Sequence, residues 1–175
     1  MKGAVLITGI SASGKSTVAQ ALAERLPRAA HVRGDAFRRM VVSGRADMAP
    51  EKAEEAVRQL HLRYRIAATA ADLYADAGFT AIVQDVVLGA DLELFTTWLR
   101  TRPLHVVVLA PDAATVERRE RERAKTGYAD WTVARLDEVL RLETPRIGLW
   151  LDTSRQTPEE TVDEVIARAD EARVT

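Results

Sequence analysis

The 175-residue sequence contains no cysteine. Disulfides and thiolate metal sites are therefore excluded, and a reducing compartment is the expected setting. It contains no asparagine either, which removes the Asn-Lys-x-Asp box that GTPases need for base recognition. No apolar run approaches the roughly 20 residues that span a bilayer, so no membrane partner is expected. The chain opens directly into a strand-like segment with no secretory pattern, which points to the cytoplasm. Lysine is scarce, with only Lys2, Lys15, Lys52 and Lys125 among many arginines. A net charge of −1 argues against a protein that coats nucleic acid, which needs a broad cationic surface. The three histidines, His31, His61 and His105, show no metal-ligand spacing. Trp98, Trp131 and Trp150 are scattered, as core or helix anchors would be.

What remains is an ordinary globular composition, 47% hydrophobic and 29% charged, with no internal repeat or linker. One domain over 1–175 is expected. Apolar β-branched runs recur at 4–8, 30–33, 81–84, 104–109 and 147–151. Helix-period stretches lie between them at 15–26, 50–77, 91–101, 112–125, 131–143 and 158–172. Such alternation predicts an α/β fold, a doubly wound five-stranded parallel sheet with helices on both faces. The runs "AVLIT" and "LHVVVL" are continuously apolar, as in strands covered on both sides. Helix 50–77 carries a stripe of Ala53, Val57, Leu60, Tyr64, Ala67, Ala71 and Tyr74. In "TPEE", Thr157, Pro158 and Glu160 form a capping box with proline at the first helical position.

The first strand runs into "GISASGKST" (9–17), where Gly9, Gly14, Lys15 and Ser16 have the spacing G-x-x-x-x-G-K-S. A glycine-rich strand-to-helix turn aims consecutive N–H groups into one concavity at a helix N-terminus, which suits a phosphate. The loop from Gly9 through Ser11, Ala12, Ser13, Gly14, Lys15, Ser16 and Thr17 is thus expected to hold ATP. Lys15 would bridge the β- and γ-phosphates and Ser16 would ligate Mg²⁺. A side chain at 9 or 14 is expected to block backbone approach. An AAA-type ATPase would normally be longer and would carry a second acid beside the aspartate ending its third strand. The short chain favours a small kinase.

Asp35 follows the second strand in "HVRGDAFRRMV", where α/β sheets bind ligands. It is the expected general base for an acceptor hydroxyl, although aspartate also commonly caps a helix. Arg38, one turn on, would bind an anionic or polar part of the acceptor. Asp85 ends the strand in "TAIVQDVVLG". It would hold Mg²⁺ directly or through water, bind the acceptor, or simply terminate the strand. In "ERRERERAKTG", Arg119 and Arg123 share a helix face. They are expected to belong to a lid around 117–131 that stabilises the transferred phosphoryl group. The bland alternative is a solvated helix laced with Glu–Arg pairs.

Taken together, "GISASGKST", "RGDAF", "IVQDVVLG", "APDAATVERRERER" and "LDTS" make the chain resemble the P-loop kinases that include chloramphenicol phosphotransferase. The resemblance covers nearly the whole length. It implies ATP-dependent transfer to a hydroxyl of a small molecule, such as an antibiotic of the chloramphenicol kind. Asp35 would be the base, with Lys15 and Ser16 at the phosphates and Arg119 or Arg123 supplied by the lid. Asp35 and Arg38 are also similar to the base and acceptor-phosphate arginine of polynucleotide 5′-kinases, and gluconate-kinase-like proteins share the architecture. Nucleic acid is the less favoured acceptor. A regulatory ATPase switch without a small-molecule acceptor is the alternative of another class.

Overall fold

The computed structural model describes residues 1–49, 53–122 and 132–174. Its strands are β1 (Ala4–Thr8), β2 (Ala29–Arg33), β3 (Thr80–Gln84), β4 (Leu104–Leu109), β5 (Leu149–Leu151) and β6 (Arg173–Val174). Its helices are α1 (Lys15–Arg25), α2 (Gly34–Met40), α3 (Glu54–Asp76), α4 (Asp91–Trp98), α5 (Ala113–Arg121), α6 (Val133–Glu138), α7 (Pro158–Ala167) and α8 (Ala169–Ala172). A π-helical turn, Val139–Glu143, continues α6.

The five parallel strands run in the order β2-β3-β1-β4-β5. All residues of β1, β3 and β4 are buried. That burial is why their sequences are mostly apolar rather than alternating, with Thr8, Thr80, Gln84 and His105 as the buried polar members. Successive side chains still divide between two faces. Ala4, Leu6, Val83, Val106 and Val108 pack with Tyr64, Ala67, Ala68 and Ala71 of α3 and with Leu92 and Phe95 of α4. Val5, Ile7, Ile82, Val107 and Leu109 pack on the other side with Val18, Ala19 and Leu22 of α1 and Val162 and Val165 of α7. Each large side chain buried this way stabilises the fold by about 1.5–3 kcal/mol. The alanines of α3 let that helix lie close on β3 and β1, which carries its N-terminal half to the carboxyl ends of the strands.

Several boundaries differ from the sequence expectation. The last helix breaks at Arg168, and the chain then adds β6, a sixth strand antiparallel to β4. β5 reaches only Val107–Leu109 of β4; β6 pairs with Leu104 and His105 below it. The stripe on α3 is shorter at both ends than its periodicity suggests. Ala53 and Tyr74 are exposed, whereas Ala56, Ala68 and Asp72 are buried. Asp72 is satisfied there by the Thr101 N–H at 2.8 Å and the Thr101 hydroxyl at 2.6 Å. The capping box is present, with Glu160 N–H donating to Thr157 Oγ1 and Thr157 N–H to Glu160 Oε2.

Candidate functional site

β1 delivers the chain into the loop before α1, and backbone handedness shapes that loop. Ala12 has φ 59° and Gly14 has φ 97°, left-handed positions that turn neighbouring N–H groups inward to form a nest. The first turn of α1 adds N–H groups that helix geometry leaves without intrahelical acceptors. Gly14 also serves as the N-cap of α1. Gly9 is also required by packing. A Cβ there would lie 2.5 Å from the Leu109 carbonyl oxygen on β4.

Lys15 is buried, and its ammonium donates to the Ile10 carbonyl at 2.6 Å, across the loop. Ser16 Oγ donates to Gln84 Oε1 at 3.1 Å, joining α1 to the end of β3. Arg119 reaches over from α5. Its guanidinium donates to the Ser13 carbonyl at 3.3 Å and to the Thr153 carbonyl at 3.1 Å. Desolvation and the neighbouring Arg118 charge lower its pKa. α5 is positioned for this by its own cap, Asp112 accepting from the Thr115 N–H at 2.6 Å. Arg123, and the expected lid beyond Glu122, lie outside the described residues.

Asp35 sits in the first turn of α2, where the N-cap is Arg33 rather than Asp35 itself. Its carboxylate is half exposed, 3.6 Å from Arg38 Nη1 and 3.4 Å from Arg39 Nε. Arg38 is engaged more closely elsewhere. Its Nε and Nη2 each lie 2.7 Å from the carboxylate of Asp47. Asp85 follows β3 and is fully buried. Arg63 Nη2 and the Val86 N–H both donate to its Oδ1 at 2.7 Å, while Oδ2 has no hydrogen-bond partner among the described residues. Burial pushes the Asp85 carboxyl above its usual pKa, opposed chiefly by the Arg63 guanidinium. Oδ2 lies against Gly34, where a Cβ would come within 1.8 Å of it.

One open cleft of about 1470 Å³ joins the phosphate loop, Asp35, Arg38, Asp85 and Arg119. Its floor is stiff beyond β3. Thr8 Oγ1 exchanges hydrogen bonds with both the carbonyl and the N–H of Val87, and the Tyr64 hydroxyl donates to the Val86 carbonyl. Sequence reasoning missed Arg63 and Asp47. Arg63 precedes the core residue Tyr64 by one position, which was the available signal. Asp47 carried none.

Among the described residues no group of three or more His, Cys, Asp or Glu could hold a metal ion. Ser16 lines the cleft and its Oγ fits Mg²⁺; Asp85 lines the cleft too, but its Oδ2 is buried against Gly34. That ion keeps several waters and is bound by one or two protein oxygens plus substrate phosphates. No described helix is long and apolar enough to cross a membrane.

Residues 5–145 match the family model of the AAA_33 family, described as an AAA domain. The chain belongs to this family. No curated protein sequence matches the chain. Among solved structures it is similar to a sugar kinase from Janibacter sp. HTCC2649, with TM-score 0.71 and 23% identity over 98% of this chain and 96% of that one. A tunicamycin resistance protein from Deinococcus radiodurans gives TM-score 0.70 and 16% identity over 100% and 99%. A gluconokinase from Sinorhizobium meliloti 1021 gives TM-score 0.65 and 19% identity over 97% and 93%. The fold is therefore the one these solved structures share.

Proposed function

We propose that this family member is a phosphotransferase that moves the γ-phosphoryl group of ATP to a hydroxyl on a small molecule. The observation that carries this reading is the shared cleft, in which the nest before α1 and the half-exposed carboxylate of Asp35 line the same space. The nest and the first-turn N–H groups of α1 bind the phosphates, and Lys15 supplies positive charge to them. Ser16, with Asp85 directly or through water, holds Mg²⁺. When bound, the ion neutralises charge on the phosphate oxygens. Asp35 accepts the proton of the attacking hydroxyl, and Arg38 beside it binds an anionic or polar part of the acceptor. Arg119, tied to the loop through Ser13, stabilises charge on the transferred group.

The name of the Deinococcus neighbour keeps an antibiotic acceptor in view, and those of the sugar kinase and gluconokinase keep a polyol. A 5′-hydroxyl of a polynucleotide is a second reading. It is favoured by Arg33, Arg38, Arg39 and Arg45 along the cleft. The test is ADP release across an acceptor library containing phenicol antibiotics, sugar acids, neutral sugars and 3′-phosphorylated nucleosides. At least one class should raise turnover well above the acceptor-free rate. A rate unchanged by every class, with ATP binding intact, refutes the kinase reading.

A further inference from the structure

The fork of Arg38 is already filled by a carboxylate from the same chain. Two of its nitrogens meet Asp47 at 2.7 Å each, the two-point geometry by which a guanidinium binds carboxylate or phosphate. Arg45 Nε lies 3.5 Å from the same carboxylate. Asp47 is correspondingly more acidic than usual, chiefly through Arg38 and then through the charges of Arg45 and Arg63. Two guanidiniums thus meet one anion, and Arg38 also lies beside Asp35.

The support under Asp47 is slight. It belongs to 41–49, which has no helix or strand. Gln59 of α3 ties that stretch down by accepting from the Ala46 N–H at 2.9 Å and donating to the Gly44 carbonyl at 2.8 Å. Neither side chain of the pair is buried, with Arg38 38% and Asp47 44% exposed. An exposed ion pair is worth little, with a median of about 0–1 kcal/mol. A soluble oxyanion can therefore compete with Asp47 for this fork at modest cost.

We infer that Asp47 is the specificity-determining residue of the acceptor site, an internal carboxylate that a phosphate- or carboxylate-bearing acceptor must displace from Arg38. The inference rests on the kinase reading above and deepens it by naming an anionic acceptor. Displacement takes Asp47 and its loop off Arg38, so the acceptor's charge selects it while Asp35 receives its hydroxyl. A neutral acceptor leaves the Arg38–Asp47 pair closed and gains nothing from it.

The probe is inorganic phosphate, titrated calorimetrically into wild type, Asp47→Asn and Asp47→Asn/Arg38→Gln, each saturated with the Mg²⁺ complex of a non-hydrolysable ATP analogue. Asp47→Asn should bind phosphate at least tenfold more tightly than wild type, and Arg38→Gln should abolish the gain. Amide exchange on the wild type supplies an independent reading, since phosphate should lower protection at the Ala46 N–H. Equal or weaker binding in Asp47→Asn overturns the inference and makes the pair a simple loop fastener. Unchanged exchange at saturating phosphate overturns it too. Binding of the nucleotide analogue is measured first. Its failure would sink the kinase reading alone, because the comparison of wild type with Asp47→Asn leaves the phosphate loop untouched.

Discussion

Replacing Arg63 with methionine keeps most of the apolar stem and removes the cation facing Asp85. The pair is 2.7 Å apart, with side chains only 15% and 5% exposed. Breaking a buried pair from one side costs about 3–5 kcal/mol, because the other charge stays desolvated and unmatched. For a chain of this size each kcal/mol moves the melting temperature by about 2–4 °C, so a fall of roughly 6–20 °C is expected near neutral pH. The sign with pH follows from Asp85. Burial already raises its pKa and Arg63 opposes that rise, so in Arg63→Met it rises further. The folded variant then holds a proton more readily than the unfolded chain. Its penalty is absent below the unfolded carboxylate value of about 3.9, grows as pH rises through the elevated folded value, and is complete above it. Urea denaturation of wild type and variant across pH 4–8 measures the gap, which should narrow on acidification (approximate window from ordinary carboxylate titration). Arg63→Met/Asp85→Asn should recover much of the loss, since a buried amide carries no charge. A gap below about 1 kcal/mol at neutral pH, or one that ignores both pH and Asp85→Asn, would refute the reasoning.

Lys15→Ala should leave the fold intact and reduce acceptor-dependent turnover by a factor of about 10²–10³, as loss of one transition-state donor does; steady-state kinetics beside a thermal melt checks both halves. Asp35→Asn should lower acceptor phosphorylation by roughly 10²–10⁴-fold while ATP affinity by calorimetry stays near wild type. Unchanged turnover would move the base role to Asp85. Nucleotide should slow amide exchange in α5, since Arg119 bridges to the loop at Ser13. Protection confined to 9–17 would return Arg119 to the surface charges.

The parallel sheet was legible because its central strands are buried on both faces and therefore mostly apolar, a pattern that needs no tertiary knowledge. The phosphate loop was legible because its spacing is set by backbone geometry close in sequence. Asp35 and Asp85 could be nominated from their places after strands. Their partners could not, because those contacts join elements distant along the chain. Arg63 lies 22 residues from Asp85, and it reads as one more charge on a long helix. The Arg38–Asp47 fork depends on how 41–49 folds back, for which no periodicity exists. A second reason for Gly9 was hidden for the same cause, since the carbonyl it must avoid belongs to β4. The shorter stripe on α3 reflects packing at the helix ends, where 3.6-residue spacing continues past the edge of the sheet.

The close approach of Gly34 to Asp85 has a consequence for how sequences of this kind can diverge. The two positions share one small volume, so they cannot drift independently. A lineage that gains any side chain at 34 must first shorten or reorient the residue at 85, and in doing so it gives up the anchor for Arg63. Because 34 adjoins Asp35, the same step shifts the segment bearing the proposed base. New acceptor preferences should therefore arise more readily through 38–49 than through 34, 63 and 85, which change together or not at all.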